Sequence, residues 1–71
     1  MLSQCEINRQ LLQQVVAKLT EIEALSKAQK QASLEGDAEG IEALHPKIQA
    51  AFRAKERAVE TWMKHHREHG C

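Results

Sequence analysis

The chain has 71 residues, of which ten are basic and ten are acidic, so its formal net charge at neutral pH is zero. This length allows one domain, and the balanced charge removes the broad attraction by which basic proteins hold nucleic acid or anionic membranes. Aromatic residues make up only 3% of the chain, too few for the stacking platforms of proteins that bind single-stranded nucleic acid. A chain this short buries little core alone and commonly relies on cross-links or oligomerisation.

The first predicted element is a long amphipathic helix over residues 3–35, a stretch without glycine or proline. Ser3, followed three residues later by Glu6, has the pattern of a capping box at a helix N-terminus. Glu23 and Lys27 stand four residues apart, in the orientation that favours an ion pair. The apolar residues recur at the spacing of a helix with one buried stripe, and they are Leu11, Leu12, Val15, Val16, Leu19, Ile22, Leu25 and Ala28.

Gly36 and Asp37 interrupt the helical pattern near the middle of the chain. Glycine adopts the left-handed conformation that ends many helices, and aspartate is a strong N-cap for the helix that follows. A connection this short makes the two helices antiparallel, so that residues whose numbers add to about 73 lie opposite one another. The sequence therefore predicts an all-α helical hairpin with two arms of nearly equal length.

The second predicted helix spans residues 38–69 and contains Pro46 within its apolar stripe. Proline removes a backbone donor and clashes with the carbonyl one turn earlier, here that of Glu42. Either the helix kinks and continues, or a short helix over residues 38–44 precedes a separate one that starts near Pro46. We expect the kinked or nearly continuous helix, because one register of apolar residues continues across the proline. The stripe comprises Ile41, Leu44, Ile48, Ala51, Phe52, Ala58, Val59, Trp62 and Met63.

Lys55 interrupts this second stripe between Phe52 and Val59. A lysine at such a position can lay its aliphatic stem along the apolar surface while its ammonium group reaches water. It can also fix the register of the helices, as polar core residues do in coiled coils.

Both apolar stripes are wider than a contact between two helices requires, since Leu11 adjoins Leu12 and Val15 adjoins Val16. One layer of two helices cannot enclose such a core. We therefore expect two hairpins to form a homodimeric, antiparallel four-helix bundle with two-fold symmetry. The alternatives are a monomeric hairpin and a three-helix monomer broken at Pro46. The predicted interface residues are Leu12, Val15, Leu19, Ile22, Ile48, Phe52, Val59 and Trp62.

The open end of the hairpin collects the residues with the most distinctive chemistry. Cys5, His66, His69 and Cys71 form a Cys₂His₂ set of the kind that binds tetrahedral zinc. A disulfide between Cys5 and Cys71 is a second interpretation. A third gives the histidines only an electrostatic role, because cations near a helix C-terminus complement its dipole. The electrostatic interpretation requires no cofactor, whereas the Cys₂His₂ interpretation would make zinc a cofactor.

The sequence as a whole predicts a small non-enzymatic module that forms a homo-oligomer and binds another protein. Catalysis is not expected, since no oxyanion loop, glycine-rich turn or concave pocket accompanies the Cys–His pairs. A zinc-binding or metal-sensing protein is the first alternative. The absence of a long apolar run and of a secretory pattern at the N-terminus predicts a cytoplasmic protein without membrane contact.

An RNA-binding hairpin dimer is the second alternative, and it rests on a basic flank of the second helix. Its residues are Arg53, Arg57, Lys64 and Arg67. Glu60 interrupts the flank and is expected to pair with Lys64 four residues on. Nearby carboxylates reduce the positive field, so a solvated face with ion pairs is favoured over a nucleic-acid partner.

Overall fold

In the computed structural model, which describes residues 3–70, the chain forms two α-helices joined by a tight turn, with no strand in that range. Helix α1 runs over Gln4–Glu35 and helix α2 over Ala38–His69, with 32 residues in each. The predicted all-α helical hairpin is confirmed. Its extents are 50 × 16 × 14 Å and its radius of gyration is 16.0 Å, compared with about 11 Å for a globular domain of this length. The molecule is therefore a thin rod.

Helix α1 begins one residue later than the pattern predicts, because Ser3 is its cap. The backbone of Ser3 is extended, and its hydroxyl accepts a hydrogen bond from the N–H of Glu6 at 3.1 Å. This satisfies one of the backbone donors that the first turn of a helix leaves without a partner.

The chain reverses through two local motifs placed in succession. Gly36 takes the left-handed conformation, with φ 70°. Its N–H donates to the carbonyl of Ser33, and the N–H of Asp37 donates to the carbonyl of Ala32, the bonding of a Schellman motif. The carboxylate of Asp37 then accepts a hydrogen bond from the N–H of Gly40 at 2.9 Å, which caps α2. These hydrogen bonds form the turn that the sequence predicts.

Helix α2 continues through Pro46 without interruption. The alternatives of a separate helix over residues 38–44 and of a three-helix monomer are therefore wrong. Ile41, Leu44 and Ile48 are all half-buried, so the packed face keeps its register across the proline. Their packing favours a continuous helix, although Pro46 cannot donate the backbone hydrogen bond of an ordinary helical residue.

The two helices meet along a seam of residues spaced alternately by three and four, as in a coiled coil. The two series mirror each other about the turn, since Leu11 lies as far from it in sequence as Trp62 does, and Ile22 lies as far from it as Ala51 does. In α1 the seam comprises Leu11, Val15, Lys18, Ile22, Leu25, Gln29 and Ala32. In α2 it comprises Ile41, Leu44, Ile48, Ala51, Lys55, Ala58, Trp62 and His65.

The core along this seam is thin. In the described part of the chain the buried hydrophobic residues are Val15, Ala32 and Ala51, all with small side chains. The larger seam residues are only half-buried. Two helices can cover each other along one line, so much of the apolar surface of each remains in contact with water.

Candidate functional site

The hairpin has two broad faces, one on each side of the seam. Because the helices run antiparallel, positions directly after a seam residue lie on the same side in both helices, and positions directly before it lie on the other side. A shallow groove on one side is an example, because both helices contribute residues to its lining. The groove is lined by Gln14, Ala17, Lys18, Ala54, Arg57, Ala58 and Thr61.

The opposite side carries six apolar side chains, each directly after a seam residue. Five of them are between 41% and 54% exposed, and the sixth is half-buried. Single exposed apolar residues are normal on a protein surface, whereas a contiguous group is typical of a contact surface. We call this group the apolar face, and its residues are Leu12, Val16, Leu19, Phe52, Val59 and Met63.

The predicted interface residues divide between the seam and the apolar face. Successive residues of a helix are rotated by about 100°, so of two adjacent apolar residues only one can point at the partner helix. The seam holds Val15, Ile22, Ile48 and Trp62, and the apolar face holds Leu12, Leu19, Phe52 and Val59. Contact of the second group with a further chain stays a prediction.

The predicted interface does not include two residues of the apolar face, Val16 and Met63. The signal that identifies them is their position directly after Val15 and Trp62, which are both seam residues. No comparable sequence pattern identifies the groove on the other face, because alanine is common throughout exposed helices.

The groove contains two cations and no carboxylate, histidine or cysteine among the described residues that line it. The ammonium group of Lys18 lies 3.7 Å from the carboxylate of Glu21 on the same helix. The hydroxyl of Thr61 donates to the backbone carbonyl of Arg57 at 2.9 Å, so it is already used within α2. The groove is therefore a surface of small residues bordered by two cations.

Polar side chains join the two helices at the open end. The Nε2–H of His65 donates to the amide oxygen of Gln4 at 3.0 Å, which links the last turn of α2 to the first turn of α1. Close by, three buried polar atoms have no hydrogen-bonding partner within residues 3–70: Oδ1 of Asn8, Nε1 of Trp62 and Nδ1 of His65. Unpaired buried polar atoms cost stability, so this end of the seam is weaker than its apolar middle.

The structure describes three of the four predicted zinc ligands, Cys5, His66 and His69. Cys71 lies outside the described residues, and Cys5 is disulfide-bonded. A disulfide sulfur lacks the thiolate charge with which cysteine binds zinc. Within residues 3–70, no group of three or more His, Cys, Asp and Glu side chains is arranged to hold a metal ion. The four-ligand site and the pairing of Cys5 with Cys71 both stay predictions.

The C-terminal histidines instead form two separate ring contacts. His66 stacks on Trp62, with ring centroids 5.7 Å apart. The ring of His69 lies 4.6 Å from that of His65. The structure therefore places the two predicted histidine ligands next to different aromatic partners on α2.

The exposed charges form fewer ion pairs than predicted. Glu23 and Lys27 lie 3.4 Å apart, which confirms that pair. No ion pair joins Glu60 and Lys64 among the described residues, so that expectation is wrong. Long exposed side chains gain little from pairing in water and lose rotational freedom. Glu60 therefore does not neutralise the charge of Lys64 by direct contact.

Comparison of the chain with protein-family models, with curated proteins and with solved structures finds no match. Neither described helix has an apolar stretch long enough to cross a membrane. The cytoplasmic location stays a prediction.

Proposed function

We propose that the chain is a small non-enzymatic interaction module that assembles with itself into a helical bundle and, in that form, binds another protein. The observation that carries this proposal is the apolar face, where five large side chains are more than 40% exposed. Monomeric proteins seldom leave a contiguous group of this kind in water, because covering it is favourable.

The thin core supports the same conclusion. The buried hydrophobic residues among those described are one valine and two alanines. A hairpin with so little apolar burial has little to offset the entropy lost on ordering two long helices. Small domains of this kind gain stability from oligomerisation as well as from cross-links such as the disulfide of Cys5. Assembly with further copies would place the exposed side chains of the apolar face in a shared core.

Sedimentation velocity across a range of concentrations tests the self-association. We expect a helical species with at least twice the chain mass of 8.0 kDa at micromolar concentration. A well-folded single-copy species throughout the range would overturn the proposal. Far-ultraviolet circular dichroism on the same samples shows whether the sedimenting species is folded.

A further inference from the structure

The two broad faces of the hairpin differ in a way that allows them different roles. The groove lies on one face and is lined mainly by alanine, threonine and long polar side chains. The apolar face lies on the other and presents leucine, valine, phenylalanine and methionine. Burying the larger aliphatic and aromatic groups removes more apolar area from water, so the apolar face gains more from a contact.

The accessible surface of the chain is large enough to accommodate a contact of standard size. The chain exposes 5410 Å², whereas a folded monomeric protein of this mass exposes about 4,450 Å². The surplus of about 960 Å² is close to the roughly 800 Å² that each partner buries in a standard interface. One contact along one broad face would therefore bring the hairpin to the exposure of an ordinary globular protein.

The charges around the apolar face suit a contact with an identical surface. Lys55, Glu56 and Glu60 line a shallow recess together with Val59, so both signs of charge border the face. The chain has no net charge, so two copies do not repel each other at a distance. A two-fold interface requires a patch that complements itself, and an apolar centre with a border of mixed charge meets that requirement.

From these observations we infer that the apolar face packs against the apolar face of a second copy of the chain in a two-fold dimer. The inference rests on the proposed function and adds to it the surface and the partner. Val16 lies in the middle of the α1 part of the face, between Leu12 and Leu19. The groove on the opposite side remains exposed in this dimer.

A pair of adjacent substitutions separates the two faces. Val16→Glu places a carboxylate on the apolar face, and Ala17→Glu places the same group on the groove face one residue along. Both positions are exposed, and glutamate is a good helix former at either, so neither change disturbs the seam. We expect Val16→Glu to raise the dimer dissociation constant at least about 100-fold, because two symmetry-related carboxylates would enter an apolar contact. Ala17→Glu should change it by less than about threefold.

A second pair repeats the comparison on α2, with Phe52→Glu on the apolar face and Ala50→Glu on the other. Sedimentation equilibrium measures the dissociation constants, and circular dichroism checks that each variant keeps its helix content. If the wild type is dimeric but the apolar-face variants dimerise as well as their controls, the inferred surface is wrong and the proposed self-association stands. A monomeric wild type would overturn both the inferred surface and the proposed self-association. This holds also if the apolar face of the monomer binds a different protein.

Discussion

Two adjacent residues reverse the chain, and they do so through different properties. Gly36 supplies a left-handed backbone, with φ 70°, which ends α1. Asp37 supplies a side-chain acceptor for the first turn of α2. Because one effect concerns the backbone and the other a hydrogen bond, substitutions at the two positions test them separately.

Replacing Gly36 with alanine should lower the free energy of unfolding by about 1–2 kcal/mol, the cost of the left-handed conformation for a residue with a Cβ. An added Cβ would meet no atom within 4 Å, so the loss comes from the backbone and not from a clash. Urea denaturation measures it. Gly70→Ala is a comparison variant, since Gly70 has a φ of 69° and the same open surroundings beyond the last turn of α2. A Gly36→Ala protein as stable as the wild type would contradict this account.

Replacing Asp37 with alanine should cost about 1 kcal/mol, because the N–H of Gly40 loses its acceptor at the start of α2. Asp37→Asn keeps an acceptor oxygen at the same position and should cost much less. Thermal melts followed by circular dichroism compare the two variants. A loss as large for asparagine as for alanine would show that the negative charge, and not the cap, is what stabilises this helix.

At the scale of the helices, Pro46 shows packing overriding a local preference. Replacing it with alanine restores a backbone donor inside α2 and should raise the free energy of unfolding by up to about 3 kcal/mol. Lys47→Ala, at the next and exposed position, should change it by less than about 0.5 kcal/mol. Urea denaturation of both variants is the measurement, and no gain from Pro46→Ala would show that the helix already compensates fully at this point.

The seam contains two lysines that are equally distant in sequence from the turn, Lys18 in α1 and Lys55 in α2. Each has a neighbour that moderates its charge. Lys18 lies near Glu21, and the ammonium group of Lys55 lies 5.5 Å from the centre of the Phe52 ring. Both positions lie on the seam, although lysine is a residue typical of a solvent-facing surface.

Substituting leucine for Lys18 should therefore stabilise the hairpin by about 1 kcal/mol, through added apolar burial along the seam. Lys27→Leu is the control, because the side chain of Lys27 is 77% exposed and points away from the seam. Chemical denaturation of both proteins tests the difference. A Lys18→Leu protein that is less stable than the wild type would mean that the lysine has a role in register that outweighs its cost.

At the scale of the whole molecule, the rod is short of core, so its stability should depend on how many copies assemble. If folding is coupled to dimerisation, the melting temperature rises with protein concentration by mass action. We expect this rise for the wild type over a roughly 100-fold range of concentration and its absence in Val16→Glu. Melts followed by circular dichroism give the result, and a melting temperature independent of concentration in the wild type would contradict it.

The local features of the hairpin could be predicted because each depends on neighbours in the chain. Ser3, Gly36 and Asp37 cap or reverse the helices through bonds to residues within five positions of themselves. The continuity of α2 through Pro46 was harder to predict, since it depends on packing that a local pattern only suggests.

By itself, the amino-acid sequence determined two long antiparallel helices and the place where they join, because caps, turn chemistry and helical period act over a few residues. Only the tertiary structure decided which line of each stripe becomes the seam, since Leu11 and Leu12 are equally apolar and the choice depends on where the partner helix lies. The seam that forms includes Lys18 and Gln29, whereas Leu12, Val16 and Leu19 remain on an exposed face. Two rigid helices can cover each other along only one line, so the rest of each apolar stripe stays on the surface.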